Sequence, residues 1–358
     1  MQLTQKKRQR TDLLTVAVVA ALFVVMATLL YTGHLTRQVT NMLVPVAVYI
    51  VMAVSLNLVV GLLGELSLGH AGFMSVGAFA GVIASQSLID VIPSGGLRLA
   101  IAMVVGAIFA TIAGFIVGAP VLRLQGDYLA IVTLAFGEII KELVTCLIVG
   151  HDENGLHILF NLTGNKTVDD LGLSSTGIAI IKGAQGATGN ARIATFAMGF
   201  ALVMITLVVV LNLVRSRTGR AIMAIRDNRI AAESVGLNVT WYKLAVFVIA
   251  AFFAGCAGVL YGHSLANIKA AAFDYNMSIE ILVIVVLGGM GSVPGSVISA
   301  IVLTVLPEAL REVADYRMLV YAIVLILVMQ ATNNPTMKRF FASAKEKLTP
   351  GRKERAAL

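Results

Sequence analysis

Long apolar runs with few charges recur along the chain at roughly 13–31, 40–61, 67–88, 98–121, 128–149, 193–214, 244–262, 278–289, 293–306 and 318–331. A run of about twenty residues, rising about 1.5 Å per residue as a helix, matches the hydrocarbon thickness of a bilayer. The pattern predicts an all-α membrane protein, a polytopic helical bundle of about ten membrane segments. Residues 13–331 form the membrane domain, flanked by basic tails at 1–12 and 332–358. The first run follows Lys6, Lys7, Arg8 and Arg10 but is too long for a signal peptide, and no small-residue cleavage site follows it, so it reads as the first span. Segments 278–289 and 293–306 are short for a crossing. They are joined by Gly288-Gly289-Met290-Gly291-Ser292-Val293-Pro294-Gly295 and read as a re-entrant hairpin or a pair of spans.

Residues 61–81 depart from the lipid-facing pattern. Glycine and polar residues interrupt the apolar run at Gly61, Gly64, Glu65, Ser67, Gly69, His70, Gly72, Ser75, Gly77 and Gly81. Such a stretch reads as a helix packed among other helices, because irregular or polar backbone at membrane depth must be covered by protein or line a cavity. With 288–295 it gives each half of the chain one glycine-interrupted segment, a pattern that marks translocation sites. The candidate pathway residues are therefore Ser67, Gly69, His70, Gly72 and Gly77 in the first segment and Gly288, Gly289, Gly291 and Ser292 in the second. Two further sets, Gly106/Ala110/Gly114/Gly118 and Ala250/Ala254/Gly258/Gly262, repeat small residues every four positions and predict ridges for close helix packing.

Composition agrees with the pattern: 58% of residues are hydrophobic, 13% are charged, and mean hydropathy is +0.90. The formal net charge of +8 follows from the distribution of basic residues and calls for no nucleic-acid partner. Segments 1–12, 122–127, 215–243 and 332–358 hold 4, 1, 6 and 7 lysines and arginines, against 8 on the opposite side, which predicts both termini to be cytoplasmic. Cys146 and Cys256 fall inside predicted spans, so neither a disulfide framework nor a cysteine metal site is expected.

Charges within the spans are few. Glu138, Lys141 and Glu142 share one helix face at i, i+3 and i+4, a spacing that allows a structural ion pair or, for Glu138, a place in the pathway. Glu65 and His70 are placed near a membrane boundary, where capping or interfacial solvation accounts for them. The other histidines are scattered through loops without ligand spacing, and no Ser/His/Asp or paired-carboxylate set is present, so neither catalysis nor a metal is expected. In the cytoplasmic loop 215–243, apolar and basic residues alternate at helical spacing. Two short helices are predicted, Arg220–Arg226 and Arg229–Val235, broken at Asp227-Asn228. Ile222, Met223, Ile225 and Ile230 are expected on a surface that another protein covers. The loop 150–192, on the opposite side, carries near-balanced charge and reads as a connector or a contact for an external protein.

Four blocks in order resemble the LivM-type permease subunits of branched-chain amino acid ABC importers. They are Ser55-Leu-Asn-Leu-Val-Val-Gly61 with Leu66-Ser-Leu-Gly-His-Ala-Gly-Phe73, then Gly126-Asp-Tyr-Leu-Ala-Ile-Val-Thr-Leu-Ala-Phe-Gly-Glu-Ile-Ile-Lys141, then 218–240, and finally Val286-Leu-Gly-Gly-Met-Gly-Ser-Val-Pro-Gly295. The resemblance implies a pore subunit in a bacterial inner membrane. Its partners would be a second homologous permease, two cytoplasmic ATPases, an external solute-binding protein and the surrounding lipid. The implied cargo is leucine, isoleucine and valine, with urea or short amides as the alternative within the same group and a stand-alone secondary transporter as the rival class. The third block resembles the coupling segment of such importers, in which a short helix fits the ATPase. The coupling residues carried over are Gly219, Arg220, Arg226, Ala231, Ala232, Glu233 and Gly236. Ala231, Ala232 and Gly236 match the Glu-Ala-Ala-x-x-x-Gly pattern, whereas Ile230 stands in the glutamate's place and Glu233 is the nearest acid. The chain carries no Gly-x-x-x-x-Gly-Lys-Ser/Thr loop, so ATP is expected on partner chains and no cofactor on this one.

Overall fold

The computed structural model describes residues 2–309, except 34, 35, 125, 154, 163, 164, 175 and 176, together with 323 and 326. Apart from 323 and 326, the predicted segment 318–331 and the tail 332–358 lie outside the described residues. The chain divides into two compact units, 1–301 and 302–358. The architecture below is that of the first.

Among the described residues nine helices carry the apolar runs, the last of them running past the end of this unit: α1 (Gln2–Tyr31), α2 (Arg37–Asn57), α3 (His70–Ser87), α4 (Gly95–Val121), α5 (Asp127–Thr145), α6 (Phe196–Arg215), α9 (Val239–Gly262), α10 (Tyr275–Gly288) and α11 (Val293–Ala309). Between α6 and α9 lie α7 (Arg217–Asp227) and α8 (Arg229–Ser234). Four helical stretches among the described residues are long and apolar enough to cross a membrane: Gln38–Leu63, Gly95–Val121, Phe196–Arg215 and Val239–Gly262. Val16–Tyr31, Tyr275–Gly288 and Val293–Glu308 are apolar but shorter. The predicted basic tail is continuous with the first span, since residues 2–31 form one helix. On α6, Phe200 stacks against Phe23 of α1 with ring centroids 3.6 Å apart.

At the centre, α3, α4 and α9 pack on one another. The two predicted ridges serve different neighbours. The ridge of α4 meets the Phe247, Ala251, Gly255, Val259 row of α9: a Cβ at Gly114 would lie 2.5 Å from the Ala251 methyl, and one at Gly118 would lie 2.9 Å from Phe247. The Ala250/Ala254/Gly258/Gly262 ridge turns to α3, where a Cβ at Gly258 would strike the Met74 carbonyl. Gly77 of α3 faces the backbone of Gly255 equally closely. With no side chain between them, the backbones approach to van der Waals distance, the contact that drives helix association in lipid.

The expectation of an all-α chain is corrected at 147–188. Apart from two short 3-10 turns, Val168–Leu171 and Gly183–Gln185, this region is neither helical nor a bare connector. It forms β1 (Leu147–Asp152), β2 (Gly155–Phe160), β3 (Ile178–Lys182) and β4 (Ala187–Thr188), joined after α9 by β5 (Asn267–Ile268), in an antiparallel sheet of order β2-β1-β3-β4-β5. Leu156-His157-Ile158-Leu159-Phe160 alternates partly buried and exposed positions, the period of a half-covered strand. Val149, Ile181 and Ala187 are fully buried, so the sheet holds an apolar layer of its own, tied to the end of α9 through Ile268.

The stretch 61–81 is also corrected: it is not one helix. After α2 the helix widens into a π-helical turn, Leu58–Leu63, breaks at Gly64 with φ +80, and runs without regular structure to the start of α3 at His70. Single π turns within helices cluster at functional sites.

Candidate functional site

The last carbonyls of a helix lack donors from the helix itself. In the π turn one of these orphans, the Gly61 carbonyl, accepts a hydrogen bond from Arg226 Nη1 at 2.9 Å. A cation at a helix C-terminus also meets the negative end of its dipole. Asp227 holds the guanidinium in place, its Oδ1 accepting from Arg226 Nε at 3.1 Å and from Nη2 at 3.0 Å. Gly64 makes room for the side chain, since a Cβ there would lie 2.6 Å from Arg226 Cγ.

On the other side of the turn stands the second glycine segment. Gly291 N–H donates to Asn57 Oδ1 at 2.8 Å, and a Cβ at Gly61 would collide with the Gly291 backbone. Gly289 and Gly291 both have φ above +80°, where side chains are strained, and Ser292 caps α11 by accepting from Gly295 N at 3.2 Å. Gly288 and Gly295 touch backbone to backbone, folding α10 against α11. A cleft of about 180 Å³ opens here, lined by Val54, Asn57, Gly61, Met223, Arg226 and Gly291 among others. The structure thus joins three predicted features at one junction: the start of the first glycine-rich region, the Gly288–Ser292 turn and the arm bearing Arg226.

The remaining predicted pathway residues lie elsewhere. Gly69 and Gly72 are crossing points with α5: a Cβ at Gly69 would strike the Thr133 carbonyl, and one at Gly72 would lie 3.0 Å from Gly137 Cα. Gly77 belongs to the α3–α9 contact already described. His70 is buried, and its Nε2 lies 2.8 Å from Ser55 Oγ, which itself donates to the Met52 carbonyl. Glu65 pairs with Lys243 of α9 in a largely buried ion pair. Capping or solvation does not account for either side chain: the turn at Gly64–Gly69 folds back against the bundle, and protein partners cover both. Ser67 is buried, with no hydrogen-bond partner for its hydroxyl among the described residues. Glu138 pairs with Lys141, as its spacing allows, and its Oε1 accepts from Tyr275 N at 3.0 Å, at the first residue of α10. Glu142 approaches Lys141 at 3.6 Å. Gly291 lies just beyond the other end of α10, and the helix's 14 residues span roughly 21 Å, so Glu138 and the junction are far apart.

The arm contains the two predicted helices, with Asn228 at the break capping α8 by accepting from Ala231 N at 3.0 Å. Ser216 caps α7 by accepting from Gly219 N at 3.0 Å, and Arg220 Nη1 donates to the Arg215 carbonyl at 2.9 Å, so Gly219 and Arg220 fix the α6–α7 corner. Ala232 is buried with Ile225 and Val239, Ala231 is exposed, and Glu233 pairs with Arg229 at 2.9 Å. Gly236, at φ +83, ends α8: its N–H donates to the Glu233 carbonyl, and Leu237 N–H donates to that of Ala232, the paired bonds of a glycine C-cap. The expected exposed apolar surface is corrected in part. Ile222 and Ile225 are buried, because the apolar face of α7 packs onto its own bundle, while Ile230 on α8 is 80% exposed and Val235 is 75% exposed.

Sequence reasoning did not select Asn57, Gly64, Lys243 or Glu280. The signal for the last two was a lone charge at the edge of, or within, an apolar run. Nothing in the pattern pointed to Asn57.

The family described as branched-chain amino acid transport system / permease component matches residues 38–329. The high-affinity branched-chain amino acid transport system permease protein LivM of Escherichia coli (strain K12) is 36% identical over 289 residues, covering 79% of this chain and 66% of that protein. The corresponding LivM of Salmonella typhimurium is 35% identical with the same coverage. The chain therefore spans just under two thirds of the length of these relatives. The LivH permease of the same Escherichia coli strain is 26% identical over 304 residues, covering 83% of this chain and 93% of that protein. Among solved structures, PsaBC from Streptococcus pneumoniae in complex with Fab aligns with 89% of this chain and 99% of that one at 12% identity and a TM-score of 0.40, too weak a likeness to carry fold or function.

Proposed function

The chain belongs to the family of branched-chain amino acid transport system permease components, and from that premise we propose that it is a pore subunit of an ATP-driven importer of leucine, isoleucine and valine. It sits in a bacterial inner membrane as a bundle of about ten segments, with α10 and α11 as a re-entrant or spanning hairpin. The end bearing α7 and α8 faces the cytoplasm with both termini, and the sheet faces outward toward a solute-binding protein. A second homologous permease completes the pathway, in keeping with the similarity of this chain to both LivM and LivH. Two ATPases bind the cytoplasmic arm, and this chain holds no ATP itself.

The observation that carries the reading is the hydrogen bond from Arg226 to Gly61. It links an arm suited to an ATPase with the turn on which Gly291 rests, so a shift of the arm displaces the inner ends of α2, α10 and α11 together. Such a linkage lets ATP binding elsewhere bias the pathway between two arrangements. Ser67, Gly69, His70, Gly72, Gly77 and Glu138 act from around the pathway by setting how closely α3, α5, α9 and α10 approach.

The docking surface is α8 and its C-cap, where Ile230 and Val235 stand exposed beside the Arg229–Glu233 pair. Purification of the tagged chain in mild detergent is expected to recover a second permease and ATPase subunits. Ile230→Glu is expected to retain the permease but reduce ATPase recovery by roughly tenfold, the scale of one well-packed interface side chain. Recovery of the wild-type chain alone, active in ATP-free vesicles, would contradict the importer reading.

A further inference from the structure

One charged side chain among the apolar helices is used by nothing described above. Glu280 lies in the second turn of α10, in a run that is otherwise uncharged from Tyr275 to Gly288. Its Oε2 accepts a hydrogen bond from the Tyr49 hydroxyl of α2 at 3.3 Å. No lysine, arginine or histidine pairs with it among the described residues. Tyr261, in the last turn of α9, lies within electrostatic reach.

Among the described residues, the face on which Glu280 sits is only partly covered. Met277, Ser278, Ile281, Ile284 and Val285 point into the bundle, whereas Asn276, Ile279, Glu280, Val283 and Leu287 remain partly or fully exposed at a helical spacing of three and four. A carboxyl group on such a face is strongly disfavoured against lipid and belongs beside water or protein. Tyr49 and Asn57 lie on the same helix, eight positions or roughly 12 Å apart. The Tyr49–Glu280 contact therefore lies one step along α2 and α10 from the Asn57–Gly291 contact of the junction. The two contacts define one continuous line between these helices.

We infer that this face of α10, with Tyr49, lines the solute pathway and that the Glu280 carboxylate receives the primary ammonium group of an amino acid in transit. The inference rests on the permease reading above. Tyr49 holds one carboxylate oxygen, and the other carries no hydrogen bond among the described residues. Ile279 and Val283, on the same face, offer apolar contact to a branched aliphatic side chain. The ammonium end of the zwitterion meets a countercharge there.

The test uses the whole complex, purified with its copurifying permease, ATPases and solute-binding protein and reconstituted in vesicles with ATP on the ATPase side. Glu280→Gln is expected to reduce leucine uptake roughly tenfold, the worth of one charge-assisted hydrogen bond. Binding-protein-stimulated ATP hydrolysis is expected to stay within about twofold of wild type, because the arm and the junction are untouched. Glu280→Asp should restore part of the loss, and Tyr49→Phe should lower uptake by about threefold, as expected for one neutral hydrogen bond. Wild-type uptake by Glu280→Gln would overturn the proposal. So would failure of that variant to hold the second permease, which would make the carboxylate an assembly contact. Absence of ATP-driven leucine uptake by the wild-type complex would overturn the permease reading itself, a failure visible before any variant is made.

Discussion

Arg226→Glu is expected to lower solute uptake by roughly a hundredfold or more while the chain still inserts and still binds its ATPase. A hydrogen bond from a charged group is worth about 1.5–3 kcal/mol, or roughly ten- to hundredfold in rate. The substituted carboxylate adds repulsion, because it would face the Gly61 carbonyl, the negative end of a helix dipole and Asp227 together. Arg226→Lys should be milder, at about tenfold, since an ammonium can reach one acceptor but cannot bridge Gly61 and Asp227 as the planar guanidinium does. Docking survives because its exposed apolar contacts, Ile230 on α8 and Val235 at its C-cap, are not the residue replaced. Uptake assays in membrane vesicles, paired with ATPase pull-down, check both parts.

Much of this arrangement was legible in the residues. Four-residue spacing of small side chains located the α4 and α9 ridges, since close packing in lipid needs that spacing. Alternating basic and apolar residues placed the two arm helices and their break at Asn228. What escaped was everything set by the chain folding back on itself. Periodicity places Ile222 and Ile225 on one helix face but does not say whether that face meets a partner or the parent bundle, and here it meets the bundle. Glu65 and His70 read as capped or solvated because polar groups next to apolar runs usually are. Lys243, 178 positions away, and Ser55 supply the partners that let them sit inside. The sheet was missed because its strands are short and its last strand, Asn267–Ile268, comes from beyond α9. At the site, the glycines of 288–295 were visible as a break, whereas Asn57, which receives Gly291, sits within an unbroken apolar helix.

Gly258→Leu is expected to have the second large effect, on stability rather than coupling. Its Cβ would meet the Met74 carbonyl and lie 3.0 Å from the Ala78 amide nitrogen, both in the backbone of α3, which cannot rotate away as a side chain can. Overpacking a tight contact costs about 1–3 kcal/mol when side chains can yield, so a backbone clash should cost about 3 kcal/mol or more. The α3–α4–α9 core would then separate. The expected readout is loss of most folded protein in detergent and a lowered melting temperature, in contrast to Arg226→Glu, which should melt close to wild type. Normal yield and melting of Gly258→Leu would mean that α3 and α9 do not cross at this point.

The proposed coupling requires Arg226, Gly61, Asn57 and Gly291 to act as one unit between the arm and the pathway. A double-mutant cycle on uptake driven by ATP, with Arg226→Ala and Asn57→Ala singly and together, tests it most directly. Because both residues bear on the same turn, the double variant should lose no more than the worse single variant, leaving an interaction energy of about 1 kcal/mol or more. If the two losses simply multiplied, the residues would be acting independently, and the junction would not transmit the motion of the arm.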